Sequence, residues 1–396
     1  FAFVILNMGF LTAQKAQSVI ATGMSEASSS MLIDNGLVGY FGNTTAVPVV
    51  QSNIYMYKVV FYINPELARP LAAMKMALEQ WRNSDLLTQA SHALGRPMEF
   101  QLLPGSGHYI GGEETASMEW VEGRFPFPRG KPPYPAQAGV LGCPTLINNV
   151  ETITHVVHIA AQGAAWFRAL GKAPGTGTKL YSLSGDVLYP GVFELPMGTS
   201  LRELVFEHGG GLLSGKPLKA VFTGGPSSTL LTHADLDVAL DFDSLRARGS
   251  NLGTGAMIVV SEGTGIVKRV AEYERFFAHS SCGQCNSCKV GTATMSRLLD
   301  RIDTGRGTAA DLASLETLCA MLPNSGRCHL VNGAVMLLDN RKGVEERTRQ
   351  LVAAQEARHN QRNRRILEAR QATEADRLKT IGDAEAREVF HVQREM

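Results

Sequence analysis

Four cysteines have the residue type and spacing to bind a metal cluster. Cys282, Cys285 and Cys288 follow one another at three-residue intervals, and Cys328 completes the spacing C-x2-C-x2-C-x39-C. Three thiolates with two residues between neighbours can hold one corner of an iron–sulfur cubane from a tight loop or a helix start, and a fourth must come from elsewhere in the chain. The spacing therefore predicts a [4Fe–4S] cluster on these four cysteines.

A structural zinc ion is the alternative occupant of the same thiolates. Zinc ribbons usually divide their ligands two and two, as paired C-x2-C knuckles. The division here is three and one, which favours the cubane over zinc. Iron analysis distinguishes the two.

The two remaining cysteines, and two basic residues beside the predicted ligands, give less specific evidence of a function. Cys143 lies between Gly and Pro, and Cys319 lies in an apolar helical stretch, so both are interpreted as structural thiols. Lys289 and Arg327 each adjoin a predicted ligand. Their charges either raise the potential of the cluster or are simply solvated, and the sequence favours neither interpretation.

The composition is that of an ordinary globular protein. The 396 residues are 44% hydrophobic and 19% charged with a net charge of +1, which predicts two or three domains and no nucleic-acid partner. Clustering of five of the six cysteines between residues 282 and 328 favours metal binding in a reducing compartment. The apolar opening from Phe1 to Leu11 is too short for a membrane span and lacks a basic flank. We expect it to be a buried strand, without direct membrane insertion.

Hydrophobic periodicity predicts an α/β architecture in the first half of the chain. Ile54 to Ile63 is a β-branched and aromatic run, which is typical of a strand. Glu66 to Leu86 carries apolar residues at roughly helical spacing. A second strand, Phe100 to Leu103, leads into the Gly-rich turn at residues 104–107. A strand passing directly into a helix indicates a βα unit of a layered α/β domain.

Composition shifts divide the chain into five segments. The last has strong helix formers and almost no large apolar residues, so it is predicted to be a solvated helix or a partner-docking arm. The segments are a divergent N-terminal segment (1–53), an α/β domain (54–177), a β-rich domain with one helix near Ser200 to His208 (178–264), a helical domain bearing the cysteines (265–342) and a charged helical C-terminal extension (343–396).

Three motifs occur in an order that points to one family. They are GHYIGGEETASMEWVEGRFPFPRGKPPYPAQAGVLGCPTLINNVET at 107–152, PGVFELPMGT at 190–199 and SCGQCNSCKVGT at 281–292. From about residue 54 to 342 the chain resembles the NADH-binding flavoprotein subunit family of respiratory complex I. That family includes diaphorase subunits of NAD-reducing and bifurcating hydrogenases and beta subunits of NAD-dependent formate dehydrogenases. The resemblance implies an FMN/NADH-type layered α/β domain, then a ubiquitin-like β-grasp domain, then a helical Fe–S domain and a long C-terminal helix.

The resemblance also implies where NAD(H) and the flavin ring bind. Lys131 matches the lysine that contacts the dinucleotide, and Tyr134 stands where the family usually has Phe, so it is expected to stack on adenine. Glu114 is the candidate catalytic residue, as a carboxylate that contacts NADH near the flavin rather than as a general acid or base. The flavin and nicotinamide motif is matched by Tyr109, Gly112, Glu113 and Glu114.

A second set of residues matches the family's contacts to the phosphate and ring of FMN. Adjacent amide side chains offer several neutral hydrogen-bond donors and acceptors, which suits a flavin. The matching residues are Ile147, Asn148, Asn149 and Thr152.

The sequence departs from the family before residue 54. The family's phosphate loop, of the form GRGGAGFP, and its second flavin motif, NADExEPG, are both absent. The nearest candidate, Gly36 to Gly42, has the wrong spacing and no following lysine. Two interpretations follow: FMN is bound by another route or by further parts of a longer protein, or the chain is a flavin-less Fe–S relay or assembly subunit.

The resemblance implies a function within a larger redox complex. NADH is oxidised, or NAD+ reduced, through FMN, and electrons pass singly to the [4Fe–4S] cluster. The implied partners are a thioredoxin-like [2Fe–2S] subunit and a larger Fe–S subunit. The implied location is cytoplasmic, at the cytoplasmic face of a membrane complex, or on the matrix side in a mitochondrion.

Overall fold

The computed structural model describes residues 2–8, 57–94, 97–213, 215–338, 353, 356–369, 371–373 and 379. The architecture is a mixed α/β fold with two sheets followed by a helical region. The predicted features of residues 9–53, including the Gly36 to Gly42 candidate, lie outside the described residues.

The first sheet contains the strands β1 (Ala2–Met8), β2 (Tyr57–Ile63), β3 (Met98–Pro104) and β4 (Thr145–Asn149). All neighbours are parallel, in the order β3-β2-β1-β4. The predictions of a strand at the apolar opening and of one ending at residue 63 are confirmed. β1 is therefore a central strand, and its nearly continuous apolar sequence is typical of a central parallel strand.

Helices cover both faces of this sheet. Successive side chains of β2 point to opposite faces, and both sets pack into apolar clusters. Val60 and Tyr62 pack with Met118 of one helix, whereas Phe61 and Ile63 pack with the helices on the other side, as the two-residue period of a strand requires. The helices are α1 (Ala68–Arg82), α2 (Leu86–Leu94), α3 (Glu114–Val121), α4 (Val150–Gln162) and α5 (Ala164–Ala169).

The helix predicted from Glu66 to Leu86 is shorter than expected. It starts at Ala68 and ends at Arg82. Ser84 donates a side-chain hydrogen bond of 2.8 Å to the carbonyl of Trp81. This bond satisfies a C-terminal carbonyl in place of a further helical turn, and α2 begins at Leu86.

The second sheet has five strands: β5 (Thr178–Gly185), β6 (Gly191–Pro196), β7 (Leu218–Phe222), β8 (Leu230–Leu231) and β9 (Ala256–Ser261). Their order is β6-β5-β9-β7-β8, and only the β5–β9 pair is parallel among the described neighbours. The helix predicted near Ser200 to His208 is present as a π-helical turn at Glu203–His208. A short helix, α6 (Phe242–Ala247), precedes β9.

The cysteine-bearing region is helical, as predicted. Its core includes Phe222 and Val260 of the second sheet and Ile110 of the α/β region. The helices therefore pack against both preceding regions. They are α7 (Ile266–Ser280), a π-helical turn at Ser287–Thr292, α8 (Ala293–Asp303), α9 (Ala309–Met321) and α10 (Leu330–Leu338).

The charged C-terminal segment is helical at 356–369, and its apolar residues Ile366 and Leu367 are exposed. One contact ties it to the helical region, since the backbone N–H of Ala309 donates to Glu356 at 3.1 Å. Across the described residues, no helix combines the length and apolarity needed to cross a membrane.

Glu274 is an ionisable residue on the otherwise apolar, buried face of α7. It lies between Val270 and Phe277 on the buried stripe and is 0% exposed. Neither carboxylate oxygen has a hydrogen-bond partner among the described residues. Burial disfavours the charged form and raises the pKa of Glu274 well above its ordinary value.

Replacing Glu274 with Met should stabilise the protein at neutral pH. The raised folded-state pKa means that the folded state holds an extra proton, so stability falls as pH rises from the unfolded pKa to the folded pKa. We expect Glu274→Met to raise the free energy of unfolding at pH 7 by about 1–3 kcal/mol. The gain should shrink as pH falls to the unfolded value of about 4.5. Urea denaturation at several pH values measures both effects.

Glu272→Met is the matched control on the same helix. Glu272 is half-buried and pairs with Arg269 at 2.9 Å, so its loss should change stability by less than about 1 kcal/mol. If Glu274→Met raises the free energy of unfolding equally at both ends of the pH range, Glu274 does not have a raised pKa in the folded state.

Candidate functional site

The first three predicted ligands lie where α7 gives way to a loop. Gly283 has a φ of 74°, a left-handed conformation that suits glycine. The backbone N–H of Gly283 donates to the Ser281 side chain at 3.0 Å, and that of Cys288 donates to the carbonyl of Cys285 at 3.1 Å. These bonds curl the segment so that its thiols turn inward.

The four predicted ligands line one cavity. The last of them comes from the turn just before α10. Two further wall residues, Ile110 and Pro128, belong to the α/β region. The cavity therefore lies where the helical region meets the α/β region. The thiols that line it are Cys282, Cys285, Cys288 and Cys328.

Four thiols around one cavity are the donor set of a [4Fe–4S] cluster. A structural zinc ion can use the same four donors, so the thiols alone fit either occupant.

Burial and neighbouring sulfurs disfavour the thiolate form of two of these cysteines. Burial raises the pKa of Cys288 to about 11, and the charges of the other three thiolates add to the rise. Burial and neighbouring thiolates likewise raise the pKa of Cys328. Thiolate ligation in such a site requires bound metal to compensate the negative charge. The donor set and its surroundings thus fit a [4Fe–4S] cluster.

Polar contacts reach the thiols from the surrounding chain. The backbone N–H of Arg327 donates to Cys285 Sγ at 3.4 Å, and Gln284 Nε2 donates to Cys282 Sγ at 3.7 Å. The Arg327 guanidinium also donates to Gln284 Oε1 at 3.2 Å. Hydrogen bonds to ligand sulfurs influence the potential of a cluster. Of the two cations that the sequence left open, Arg327 makes these contacts and Lys289 is exposed.

The other two cysteines pack against apolar clusters. Cys319 packs partly buried against the helical core, and Cys143 packs against the core beside the first sheet. The Cys143 thiol also donates to the carbonyl of Leu141 at 3.8 Å. Neither thiol lines the cavity of the four predicted ligands.

The predicted nicotinamide motif begins beside this cavity. A 3-10 turn at Tyr109–Gly112 follows β3, and Gly112 at its end is exposed. The Tyr109 ring meets Phe276 of α7 edge to face at 4.8 Å. Burial and the charge of the Cys328 thiolate raise the pKa of Tyr109. The residue remains 49% exposed, so part of it is available to a planar ligand.

Three of the predicted dinucleotide residues form a charged cluster. Lys131 Nζ pairs with Glu113 at 3.2 Å and makes a closer pair with Glu114. Burial opposes the charged form, but hydrogen bonds to Glu114 and Glu113 raise the pKa of Lys131. Tyr134 lies three residues further on and is exposed. The cluster offers a cation and carboxylates at the rim of the α/β region.

Glu113 also has a structural role. Its carboxylate caps α3 by accepting hydrogen bonds of 2.9 Å from the backbone N–H groups of Thr115 and Ala116. A capping carboxylate is stabilised by the helix N-terminus. One carboxylate oxygen is therefore committed to the helix, and the other faces Lys131.

The predicted FMN residues lie at the carboxyl edge of the first sheet. Asn149 ends β4 and caps α4 through a 2.8 Å hydrogen bond from the N–H of Glu151. Ile147 and Asn148 are half-buried on β4, and Thr152 is exposed in the first turn of α4. Strand order reverses between β1 and β4, and ligands of open parallel sheets bind at the carboxyl ends beside such a reversal.

Asn7 is a candidate that sequence reasoning did not identify. In the register of the sheet it lies opposite Asn149 on one side and Tyr62 on the other. It therefore occupies the carboxyl end of β1 at the same reversal point. Its position depends on strand pairing with residues far away in the sequence, so no local pattern marks it.

The described residues fit a flavin mononucleotide in part. β3 and β4 are three strand spacings apart, about 14 Å, so an elongated cofactor along the carboxyl edge can reach both the Tyr109 turn and the Asn148–Asn149 pair. Amide side chains and a helix N-terminus suit a flavin and its phosphate. The Gly-rich phosphate loop of the family has no counterpart in the described residues.

Comparison with known proteins shows which family the chain belongs to. The NADH-quinone oxidoreductase F subunit 2 of Rhizobium meliloti (strain 1021) is 43% identical over 275 residues, which are 69% of this chain and 65% of that protein. The NADH-quinone oxidoreductase F subunit of Rickettsia typhi is 39% identical over 292 residues, which are 72% of this chain and 69% of that protein.

The chain belongs to the family of NADH-quinone oxidoreductase F subunits. Family models match the Nuo51 FMN-binding domain at residues 45–158, the SLBB domain at 180–229 and the NADH-ubiquinone oxidoreductase-F iron-sulfur binding region at 268–341. The family resemblance seen in the sequence is confirmed, and the iron–sulfur match decides against the zinc alternative.

The fold of this family member is shared with a solved enzyme. The crystal structure of an NAD+-reducing [NiFe]-hydrogenase in the H2-reduced state matches with a TM-score of 0.70 and 29% identity, covering 89% of this chain and 56% of that chain. The chain thus spans less than two thirds of the Rhizobium meliloti protein and of the hydrogenase chain.

Cys285→Ser should remove the cluster signal from the protein. Loss of one of four thiolates leaves an iron without its protein ligand. We expect the reduced-state EPR signal of the [4Fe–4S] cluster to disappear, with iron per chain reduced. Cys319→Ser is the matched control and should retain the signal, because Cys319 lies outside the cavity. An unchanged signal in Cys285→Ser would refute the ligand assignment.

Proposed function

We propose that this chain oxidises NADH, or reduces NAD+, through FMN and passes electrons singly to a [4Fe–4S] cluster on Cys282, Cys285, Cys288 and Cys328. One observation carries the proposal. Ile110, inside the Tyr109–Gly112 turn, lines the same cavity as the four thiols. The predicted nicotinamide motif and the predicted cluster therefore share a wall, which is the proximity that electron transfer between them needs.

The residues of the chain have distinct roles in this proposal. Lys131 attracts the phosphates of the dinucleotide, and Glu114, which pairs with it, orients it and contacts the ribose or nicotinamide of NADH. Tyr134 stacks on adenine, and Tyr109 and Gly112 lie against the flavin ring. FMN, when bound, supplies hydride acceptance and one-electron release.

The remaining flavin contacts fall at the other end of the sheet edge. Asn148, Asn149 and Thr152 hold the ring and phosphate, with Ile147 packed behind them against the core. Hydride transfer needs no general base, so the contribution of the protein is orientation and exclusion of water.

The proposal places the chain within a larger redox assembly. Its domain order is an FMN/NADH-type α/β domain at 54–177, with β1 in its sheet, a ubiquitin-like β-grasp domain at 178–264, a helical Fe–S domain at 265–342 and a helical extension at 343–396. The partners are a thioredoxin-like [2Fe–2S] subunit and a larger Fe–S subunit. The location is the cytoplasmic face of a membrane complex, or the matrix side in a mitochondrion.

Acid-released flavin per iron is the first test of the proposal. We expect about one FMN for every four irons, because one flavin feeds one cubane. Fluorescence of the released flavin and a colorimetric iron assay give the ratio. Iron without flavin in the isolated complex would favour the alternative function, a flavin-less Fe–S relay. That alternative follows from the absence of the family's two flavin motifs from the sequence.

Glu114→Ala should impair NADH oxidation more than cluster assembly. Loss of a hydrogen bond to a charged group costs about 1.5–3 kcal/mol, which lowers kcat/KM for NADH by about 10- to 100-fold. Iron content should be unchanged. Glu99→Ala is the control, because Glu99 is also ion-paired, with Lys58 at 3.2 Å, but lies at the opposite end of β3. Normal turnover in Glu114→Ala would remove this residue from the site.

A further inference from the structure

The loop between α3 and β4 carries both predicted dinucleotide side chains. Lys131 and Tyr134 are exposed on it, as are most residues from 130 to 137. An exposed loop needs attachment to a rigid element if its side chains are to meet a ligand in one geometry. The structure shows a polar attachment at the two ends of this loop.

Arg129 joins the two ends of the loop to α3. Its Nη1 donates to the carbonyl of Gly139 at 3.1 Å, ten residues along the chain. Its Nη2 donates to Glu122 at 2.7 Å, and its Nε makes a close pair with Glu119. The planar guanidinium fork is the side chain best able to satisfy three acceptors in different directions.

The backbone at Arg129 is attached as well. Its N–H donates to the Thr115 hydroxyl at 2.8 Å, and that hydroxyl donates to Glu113. Glu113 in turn pairs with Lys131 at 3.2 Å. A continuous hydrogen-bonded path therefore runs from the side chain of Lys131 through α3 to the base of its own loop.

Glu122 extends the attachment to the far side of the loop. The same carboxylate oxygen that accepts from Arg129 also accepts from the N–H of Leu141 at 2.8 Å. Leu141 has φ 52° and ψ 31°, a left-handed conformation that is unfavourable for leucine. Strained residues persist where surrounding contacts over-determine them, and they cluster at functional sites.

The charges in this network depend on one another. The Glu122 side chain is only 5% exposed, so loss of Arg129 would leave a nearly buried carboxylate without its inner partner. Burial acts against ionisation, but hydrogen bonds from Arg129 and the Leu141 N–H hold the pKa of Glu122 below its usual value. Arg124 pairs with the same two glutamates from the solvent side and is 54% exposed.

We propose that Arg129 is a positioning residue that fixes residues 130–139 so that Lys131 and Tyr134 engage the dinucleotide. This inference rests on the proposed function of those two side chains. The Arg129 side chain touches Glu119, Glu122 and Gly139 rather than the dinucleotide, so its effect on catalysis is indirect. It holds the ends of the loop together and aligns them with the helix that Glu113 caps.

The test replaces Arg129 with Gln and, separately, with Lys in the flavin- and iron-loaded protein. We expect KM for NADH to rise by about tenfold or more with kcat little changed, because ligand alignment is lost but the redox groups are not. Steady-state NADH oxidation with ferricyanide as acceptor gives both constants. Arg129→Lys keeps the charge beside Glu122 but lacks the fork, so it should fold and should not restore KM.

Hydrogen exchange of residues 130–139 without NADH supplies an independent readout. We expect faster exchange there in both Arg129 variants. Arg124→Gln is the matched control, because it removes a cation from the same two glutamates without a hydrogen bond to Gly139 in the described residues. That control should leave both the exchange rates and KM near those of the parent protein.

The outcomes separate this inference from the function on which it rests. Unchanged exchange in the Arg129 variants, or equal effects of Arg124→Gln, would overturn the positioning role. Faster exchange with an unchanged KM would show that Arg129 holds the loop but that the loop does not bind the dinucleotide, which would overturn the assignment of Lys131 and Tyr134.

Discussion

Four neighbouring thiolates repel one another, and the fold must hold them together despite that repulsion. Burial, together with the charge of neighbouring thiolates, raises the pKa of Cys288 and of Cys328. A multi-iron cluster removes this conflict only if the backbone presents all four sulfurs together. The close-packed core formed by α7, α8, α9 and α10 supplies that rigidity, since Phe277, Leu299 and Val331 are essentially solvent-free within it.

The same cavity joins the regions of the chain. Its walls include Ile110 and Pro128 of the α/β region. Gln284 Nε2 donates to the carbonyl of Pro128 at 3.4 Å, across a separation of 156 residues in the sequence. The loop that bears the predicted dinucleotide residues and the loop that bears the predicted cluster ligands thus share a hydrogen bond.

Two buried or nearly buried carboxylates show how differently the fold treats charge. Glu122 has an arginine partner and a backbone donor, and its pKa is lowered. Glu274 has no hydrogen-bond partner in the described residues, and its pKa is raised. Hydrogen-bond donors favour the ionised form of Glu122, whereas burial without a donor disfavours the ionised form of Glu274.

Local signals in the sequence were sufficient to predict a mixed α/β fold, the family, and four candidate cluster cysteines that the structure places around one cavity. Cysteine spacing, hydrophobic periodicity and three family motifs are all readable without coordinates, and so is the β-branched strand that ends at residue 63. Other features emerged only from the packed chain. They are the placement of Asn7 beside Asn149, the double role of Glu113, and the contacts of Arg129 with residues 7 to 10 positions away. These features depend on strand order and on loop closure, which bring together residues that no local pattern relates.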